Sequence, residues 1–205
     1  MRMSKVSLVL TGLFAFGATG VAAQVPGISL DIVPKIGAEM PLSDLPTTPS
    51  AEAVKSMSGA FAWGVAAELG LPGLPFDLRA NVDATTKKSV SPATGITTGS
   101  VDQTMMTIFG DLVFRPLPKL ILVQPYVMAG LGVKRYNYSL SDPADLFQRS
   151  FTDRNDLAYH LGVGVDIGPL VVEANDYMNK YAFDGGGSKF QHDVFIMAGL
   201  RLGLF

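Results

Sequence analysis

The segment LAYHLGVGVDI, residues 157–167, alternates between apolar side chains and small or polar ones. Leu157, Ile167 and the odd-numbered positions between them are apolar, whereas His160 and Asp166 belong to the intervening set. Because successive side chains of a strand point to opposite faces, this pattern predicts a β-strand with one apolar and one polar face. The other strands indicate which of the two faces points into the protein.

The segment FDLRANVDA, residues 76–84, alternates in the same way and carries three charges on its second face. Its apolar residues are separated by Asp77, Arg79, Asn81 and Asp83. Three charged side chains on one face of a strand cannot lie unpaired in a dry apolar core. We therefore predict that the apolar faces point outward and the polar faces inward, as in a narrow barrel embedded in lipid.

The N-terminal segment has the pattern of a secretory signal peptide. Two basic residues precede an apolar run over residues 6–16, and small residues follow up to Ala23. This order of a positive region, a short apolar region and small residues is typical of an exported chain. We predict a signal peptide over residues 1–23, cleaved after Ala23, and a mature domain over residues 24–205.

Composition excludes several other classes of protein. Charged residues make up 17% of the chain, which is low beside the roughly 25% of ordinary soluble domains. The chain has no cysteine, which excludes disulfides and a Cys-ligated zinc ion. A net charge of −2 offers no basic surface for nucleic acid. No later stretch has about 18 or more uninterrupted apolar residues, so we expect no membrane-spanning helix.

Eight segments have strand patterning, and the connections between them are alternately long and short. The predicted strands are approximately 29–40, 59–69, 76–84, 101–115, 120–138, 157–167, 170–181 and 192–205. This arrangement predicts an all-β fold, an eight-stranded antiparallel transmembrane β-barrel in an up-and-down meander, with both ends on the periplasmic side. The alternative is a soluble β-sandwich or lipocalin-like barrel, whose apolar faces would point inward.

Two short motifs resemble small bacterial outer-membrane β-barrel proteins of the OmpA and OmpX type. At the C-terminus, GLRLGL followed by a final aromatic residue resembles the assembly signal of such proteins, with Gly199, Leu202, Leu204 and Phe205 in the signal positions, although Phe205 is one residue out of phase. The segment QPYVMAGLGV, residues 124–133, resembles a PYxxxGxG strand of that family.

This resemblance implies a monomer in the bacterial outer membrane, without a cofactor. The partners that it implies are outer-membrane lipids, the barrel-assembly machinery and periplasmic chaperones. No segment resembling a peptidoglycan-binding domain follows the barrel in this sequence.

Charged residues on the polar faces form the main candidate site, a barrel-interior charge network near the periplasmic ends of the strands. Its predicted members are Lys35, Glu68, Asp77, Arg79, Asp111, Arg115, Asp166, Glu173 and Arg201. Pairing Leu69 with Phe76 predicts Glu68 opposite Asp77 and diagonal to Arg79, within reach of long side chains. The network is interpreted as a structural salt-bridge plug, and the alternative is a path for protons or small solutes through a narrow pore.

Neither histidine supports a catalytic prediction. His160 is expected to face inward, and the position two residues further on is Gly162 instead of a serine. His192 is expected in a solvated loop region, beside Asp193 and after Ser188. We predict no catalytic residue, no enzyme activity and no metal site, and we assign a packing role to the mid-strand glycine pairs.

The resulting functional prediction is an integral outer-membrane barrel with a role in envelope integrity and with surface-exposed loops for interaction. The alternative is a narrow channel for small or hydrophobic solutes, and a lipid-modifying enzyme is a third possibility. The long loops over residues 41–58 and 141–155 carry no recognisable motif, so no ligand can be predicted from them.

Overall fold

A computed structural model of the chain describes six ranges of residues: 27–42, 59–90, 101–117, 122–140, 153–182 and 188–204. The predicted signal peptide, its cleavage site and Phe205 lie outside these residues.

The described residues form β-strands joined by turns. Their bounds are β1 Ser29–Pro41, β2 Ala60–Gly70, β3 Phe76–Thr85, β4 Lys88–Val90, β5 Val101–Phe114, β6 Val123–Leu140, β7 Arg154–Ile167, β8 Leu170–Ala182, β9 Ser188–Leu200 and β10 Leu202–Gly203. Two of these strands are short: β4 pairs with β5, and β10 continues β9 along β1. Within the described ranges, no helix is long and apolar enough to cross a membrane.

The eight long strands close into an antiparallel barrel. Each pairs with its successor along the chain, and the circle closes where β1 pairs with β9, with Lys35 opposite Gly199. The predicted fold class, an up-and-down eight-stranded barrel, is therefore confirmed. Closure gives each of the eight long strands a neighbour on both sides.

The apolar and polar faces of the strands point outward and inward, as predicted. On β7, Leu157 and Val163 are 69% and 56% exposed on the outer surface, whereas His160 is 1% exposed inside. The same holds on β3, where Leu78 lies outside and Arg79 inside. The apolar faces thus form the exterior, and the polar faces line the lumen.

The two ends of the barrel differ in how the strands are connected. At one end, here called the turn end, Gly168 and Pro169 alone join β7 to β8. Gly168 has a φ of +59°, which a two-residue hairpin turn requires and which glycine adopts without steric cost. At the opposite end, here called the loop end, the connecting segments lie largely outside the described residues.

Glycines on the inner face leave room for the side chains of neighbouring strands. A Cβ atom built on Gly130 would collide with the Asp111 carboxylate, and one built on Gly164 would collide with the Tyr126 ring. Gly110 differs, because it faces outward and a Cβ atom there would meet nothing within 4 Å. The predicted packing role of the inward glycines is therefore confirmed at Gly130 and Gly164.

We predict that Gly164→Ala destabilises the barrel by about 1–3 kcal/mol, because the added methyl group must displace the Tyr126 ring. Gly110→Ala is the matched control and should be neutral or slightly stabilising, since its methyl group enters open space. Urea unfolding of the refolded barrel, followed by the fluorescence of the single tryptophan, measures both effects. Equal costs for the two variants would contradict the packing role of Gly164.

Candidate functional site in the barrel lumen

Side chains inside the barrel form layers along its axis. The layer at the turn end, here called the basal ring, contains six charged residues: Asp31, Glu68, Asp77, Arg115, Asp166 and Arg201. In this ring, two arginines hold four carboxylates.

Each arginine of the basal ring bridges several strands. Arg201 contacts Asp31 at 3.0 Å, Glu68 at 2.9 Å and Asp166 at 3.1 Å. Arg115 contacts Glu68 at 2.7 Å and Asp166 at 3.3 Å, and it also pairs with Asp77. The planar guanidinium group, with its five N–H donors, is suited to such multiple pairing with carboxylates.

The register predicted for the hairpin of β2 and β3 is wrong by two residues. The structure pairs Leu69 with Leu78, so Glu68 lies directly opposite Arg79 instead of Asp77. Phe76 and Asp77 pair only with β5, because the strands of a barrel are staggered around its axis. Asp77 is consequently held by Arg115.

A second layer, here called the central network, lies above the basal ring and centres on Glu173. Its members are Lys35, Arg79, Asn81, Asp83, Asp111, His160, Glu173 and Asn175, and every one of them is buried. The carboxylate of Glu173 accepts hydrogen bonds from Tyr126 at 2.8 Å, Asn175 at 3.1 Å and Lys35 at 3.3 Å, and from Arg79. Four donors therefore compensate the desolvation of this carboxylate.

Lys35 extends the central network to β3. Its ammonium group contacts Asp83 at 3.0 Å and donates to Asn81 at 3.0 Å. Asn81 in turn donates to Asp111 at 2.6 Å. A single lysine on β1 thus connects the carboxylates of β3 and β8 across the lumen.

His160 completes the central network between two acceptors. Its Nδ1 atom lies 2.7 Å from Asp111, and its Nε2 atom lies 3.2 Å from Oδ1 of Asn175. The amide of Asn175 cannot turn around, because its nitrogen donates to the Glu173 carboxylate. The imidazole thus joins Asp111 of β5 to Asn175 of β8.

A layer of aromatic and methionine side chains separates the central network from the loop end. This aromatic layer consists of Ala62, Met105, Phe109, Tyr136, Ala158, Tyr177, Phe195 and Met197, all at most 2% exposed. The Tyr177 ring stacks on His160 at 4.5 Å and contacts Phe109 at 4.8 Å and Phe195 at 5.1 Å between ring centroids. Six strands contribute to this layer, so it extends across the lumen.

A third polar cluster, here called the upper network, lies on the loop side of Phe109, Tyr177 and Phe195, and the Tyr136 hydroxyl of the aromatic layer contacts Asn179 and Asp193 within it. Lys134 donates to Asp193, to Asn179 at 2.8 Å and to the Tyr177 carbonyl at 2.9 Å. Asn179 donates to Asp156 at 2.8 Å, which links the network to β7. Paired polar groups therefore lie on both sides of the Phe109, Tyr177 and Phe195 rings.

The structure places all nine predicted network residues on the inner face, divided between the basal ring and the central network. Prediction from the sequence placed Asp83 on the inner face without including it in the network, and it missed Asp31 and the whole upper network. The signal for Lys134 was present, because it shares the inward parity of Gly130 and Gly132. The cross-lumen partners had no sequence signal, since they depend on the stagger of the strands.

The C-terminal motif lies at the seam of the barrel. Gly199 pairs with Lys35, and Leu202 pairs with Ile32 on β1. Leu202 and Leu204 are exposed on the outer face. Its described residues thus belong to the strand pairing that closes the barrel.

The described part of the chain offers no metal centre, since it contains no group of three or more His, Asp or Glu side chains arranged to hold an ion. His192 lies within β9, not in a loop, and contacts Asp176 of β8, while Asp193 points inward to Lys134. The expectation that His192 lies in a solvated loop region is therefore wrong. Its outward neighbours on β9, Phe190 and Val194, are apolar and supply no nucleophile.

The fold is thus of the class of eight-stranded antiparallel barrels with an apolar exterior and a charged lumen. The fold is similar to that of Neisserial surface protein A, with a TM-score of 0.52 at 15% identity over 86% of this chain and 96% of that one. A lower score of 0.44 is found for Ail of Yersinia pestis, solved with sucrose octasulfate, at 13% identity over 85% and 97% of the two chains. A major outer membrane protein of Thermus thermophilus also scores 0.44, at 15% identity over 85% and 99%.

No family model and no curated protein matches the sequence. The similarity to Neisserial surface protein A confirms the fold resemblance that the sequence motifs suggested.

We predict that Arg79→Ala lowers the free energy of unfolding by about 3–5 kcal/mol, because it leaves Glu173 and Glu68 short of a buried cation. Arg135→Ala, on the exposed outer face of β6, is the control and should change stability by at most about 0.5 kcal/mol. Adding Glu173→Gln to Arg79→Ala should recover part of the loss, since the uncompensated charge is removed. Urea unfolding measures all three variants, and a negligible cost for Arg79→Ala would contradict the role of the central network.

Proposed function

We propose that this protein is an integral barrel of the bacterial outer membrane, exported by a signal peptide that is cleaved after Ala23. The observation that carries this proposal is the inverted distribution of side chains, with apolar residues outside and ion pairs inside. Such an exterior is stable in hydrocarbon, and a closed barrel satisfies every strand hydrogen bond internally. The fold shared with Neisserial surface protein A and the C-terminal motif support the same proposal.

The proposed role is structural, in envelope integrity, with the segments at the loop end displayed at the cell surface for interaction. The contents of the lumen favour a closed barrel instead of a channel. Eight strands leave an interior only just wide enough for side chains, and here the rings of Phe109, Tyr177 and Phe195 lie across it between paired polar groups. The proposed partners are outer-membrane lipids, the barrel-assembly machinery and periplasmic chaperones, and the proposal includes no enzyme activity and no cofactor.

Location is tested by fractionating cells that express the full chain. The mature protein should be recovered in the outer-membrane fraction, and unboiled samples should migrate differently from boiled ones on a denaturing gel, because the closed barrel resists detergent. Recovery as a soluble periplasmic protein would refute the proposal.

The lipid-facing exterior is tested with Val163→Arg, which places a charge on the outer wall of β7. It should destabilise the barrel in lipid vesicles by about 2–4 kcal/mol if Val163 lies near the bilayer midplane. Val163→Leu is the control, because it keeps the surface apolar. If Val163→Arg cost no more than the control, the lipid-facing assignment of this wall would be wrong.

Closure of the lumen is tested by single-channel recording in planar bilayers. The unaltered protein should show no steady conductance. Phe109→Ala removes an aromatic side chain from the aromatic layer and should open a small current, with a preference for cations because three carboxylates face two basic side chains in the central network. Ile108→Ala, on the outer face of the same strand, is the silent control. Large stable currents from the unaltered protein would favour the channel.

A further inference from the structure

The strand ladder that closes the barrel is interrupted near the turn end. The register of β1 with β9 ends at Lys35, and its register with β10 begins at Ile32, so two residues of β1 between them have no partner across the seam. The other seven ladders between long strands run without a break within the residues that the structure describes. The interruption, here called the seam gap, consists of Val33 and Pro34 of β1 and of the residues that continue the register opposite them, Arg201 and Leu200.

A proline accounts for the seam gap. In an antiparallel ladder, alternate pairs of residues exchange two hydrogen bonds. At the seam these pairs contain the even-numbered residues of β1, since the Leu204 amide donates to the Leu30 carbonyl at 2.8 Å and the Leu42 amide donates across the seam at 3.1 Å. Pro34 falls on such a position, and its nitrogen carries no hydrogen. The pair of Pro34 and Leu200 therefore lacks one of its two hydrogen bonds.

A second proline within a strand has no such effect. Pro125 of β6 lies opposite Val165 in an unbroken ladder. The Gly168 amide donates to the Leu122 carbonyl at 3.1 Å, so the even-numbered residues of β6 are the ones that exchange hydrogen bonds with β7. The nitrogen of Pro125 points to the other side, where the ladder with β5 has already ended at Val127. Pro125 thus removes no ladder hydrogen bond.

The structure on either side of the seam gap is complete. Val33 and Pro34 pair with β2, and the Arg201 amide donates to the Pro169 carbonyl at 2.7 Å on the side of β8. Across the seam, the Arg201 guanidinium contacts Asp31 at 3.0 Å on the turn side of the gap, and the ladder with β9 resumes on its loop side. The weak point is therefore short and is held closed at both of its ends.

The seam gap lies between two apolar regions. Outside, Pro34 and Leu200 are exposed on the apolar wall of the barrel. Inside, Val33 belongs to a group of apolar side chains between the basal ring and the central network, since Val113 of this group lies between Asp111 and Arg115 on β5. This group, here called the lower apolar cluster, consists of Val33, Ala66, Val113, Tyr126, Met128 and Val171, each at most 3% exposed.

We propose that the wall of the barrel opens locally at the seam gap. There β1 and β9 part, and an apolar molecule dissolved in the bilayer reaches the lower apolar cluster from the side. Parting at Pro34 breaks at most one hydrogen bond, whereas an ordinary pair of this kind would lose two, and segments with fewer hydrogen bonds open at a lower free energy. The inference rests on the proposed membrane location, because this wall must face hydrocarbon.

The absence of cysteine from the chain allows a test with single thiols in the lower apolar cluster. Val33→Cys places a thiol behind the seam gap, and Val113→Cys places one behind the unbroken ladders of β5 with β3 and β6. Both valines are 0% exposed. The purified protein in phosphatidylcholine vesicles is treated with pyrenyl maleimide, an apolar reagent that dissolves in the bilayer. Val33→Cys should react roughly five to ten times faster than Val113→Cys, the effect of about one hydrogen bond.

A charged maleimide added to the water distinguishes entry through the wall from entry along the lumen. It should label neither thiol at an appreciable rate. Equal rates of the two thiols with the apolar reagent would overturn the opening. Labelling of Val33→Cys by the charged reagent as fast as by the apolar one would overturn it as well.

Two further variants test the missing donor in the Val33→Cys background. Pro34→Val restores a backbone N–H at the seam gap and should slow the reaction with the apolar reagent by roughly five- to tenfold. Pro125→Val is the matched control and should leave the rate unchanged, because Pro125 removes no ladder hydrogen bond. An unchanged rate in Pro34→Val, or equal slowing by both variants, would overturn the role of Pro34.

Each variant is first fractionated from cells and checked for the shift in migration on heating. Absence of the unaltered protein from the outer membrane would count against the proposed function and, with it, against the opening. Correct location and migration together with equally slow labelling of both thiols would overturn the opening alone.

Discussion

The carboxylate of Glu173 is the contact on which the interior of this barrel depends. It is 1% exposed, and its donors come from β1, β3, β6 and β8, so one side chain joins half of the long strands. A buried carboxylate without partners would cost several kcal/mol, and removal of one partner leaves that cost partly uncompensated. The ion pairs therefore act chiefly by specifying one arrangement of the lumen, because any other arrangement leaves a buried charge without a partner.

The charges and the glycines of the inner face are interdependent. A Cβ atom at Gly64 would collide with Asp83, one at Gly130 with Asp111, and one at Gly199 with the Pro34 carbonyl oxygen, next to the Lys35 side chain. Glycine weakens a strand by itself, so its frequent use here needs a compensating gain. The gain is the space in which long side chains cross a narrow lumen, which explains why glycines recur on the inner faces of the strands.

Much of the fold could be predicted from the sequence, because a strand has a period of two and the two faces carry different chemistry. The charges at Asp77, Arg79 and Asp83 determined which face points inward. The partners across the lumen could not be predicted, since the stagger of neighbouring strands moves Asp77 away from Glu68 and toward Arg115. The outward position of His192 was missed for a simpler reason: the glycine-rich segment before it suggested a loop, whereas β9 begins at Ser188.

The pairing of β1 with β9 joins the first and last long strands of the chain, and this has a kinetic consequence. Most strand pairings here are between neighbours in sequence, but the seam requires the ends of the chain to meet, and such non-local contacts form slowly. Before the seam closes, β1 and β9 each have one edge without a hydrogen-bonded neighbour. Lys35 then still lacks its contact with Glu173 across the lumen. After closure, opening the seam must break a continuous ladder from Lys35 to Pro41 together with buried ion pairs. Closure of the seam should therefore be the slow and cooperative last step of assembly. The folded barrel should then last because its seam opens slowly, more than because its equilibrium stability is large.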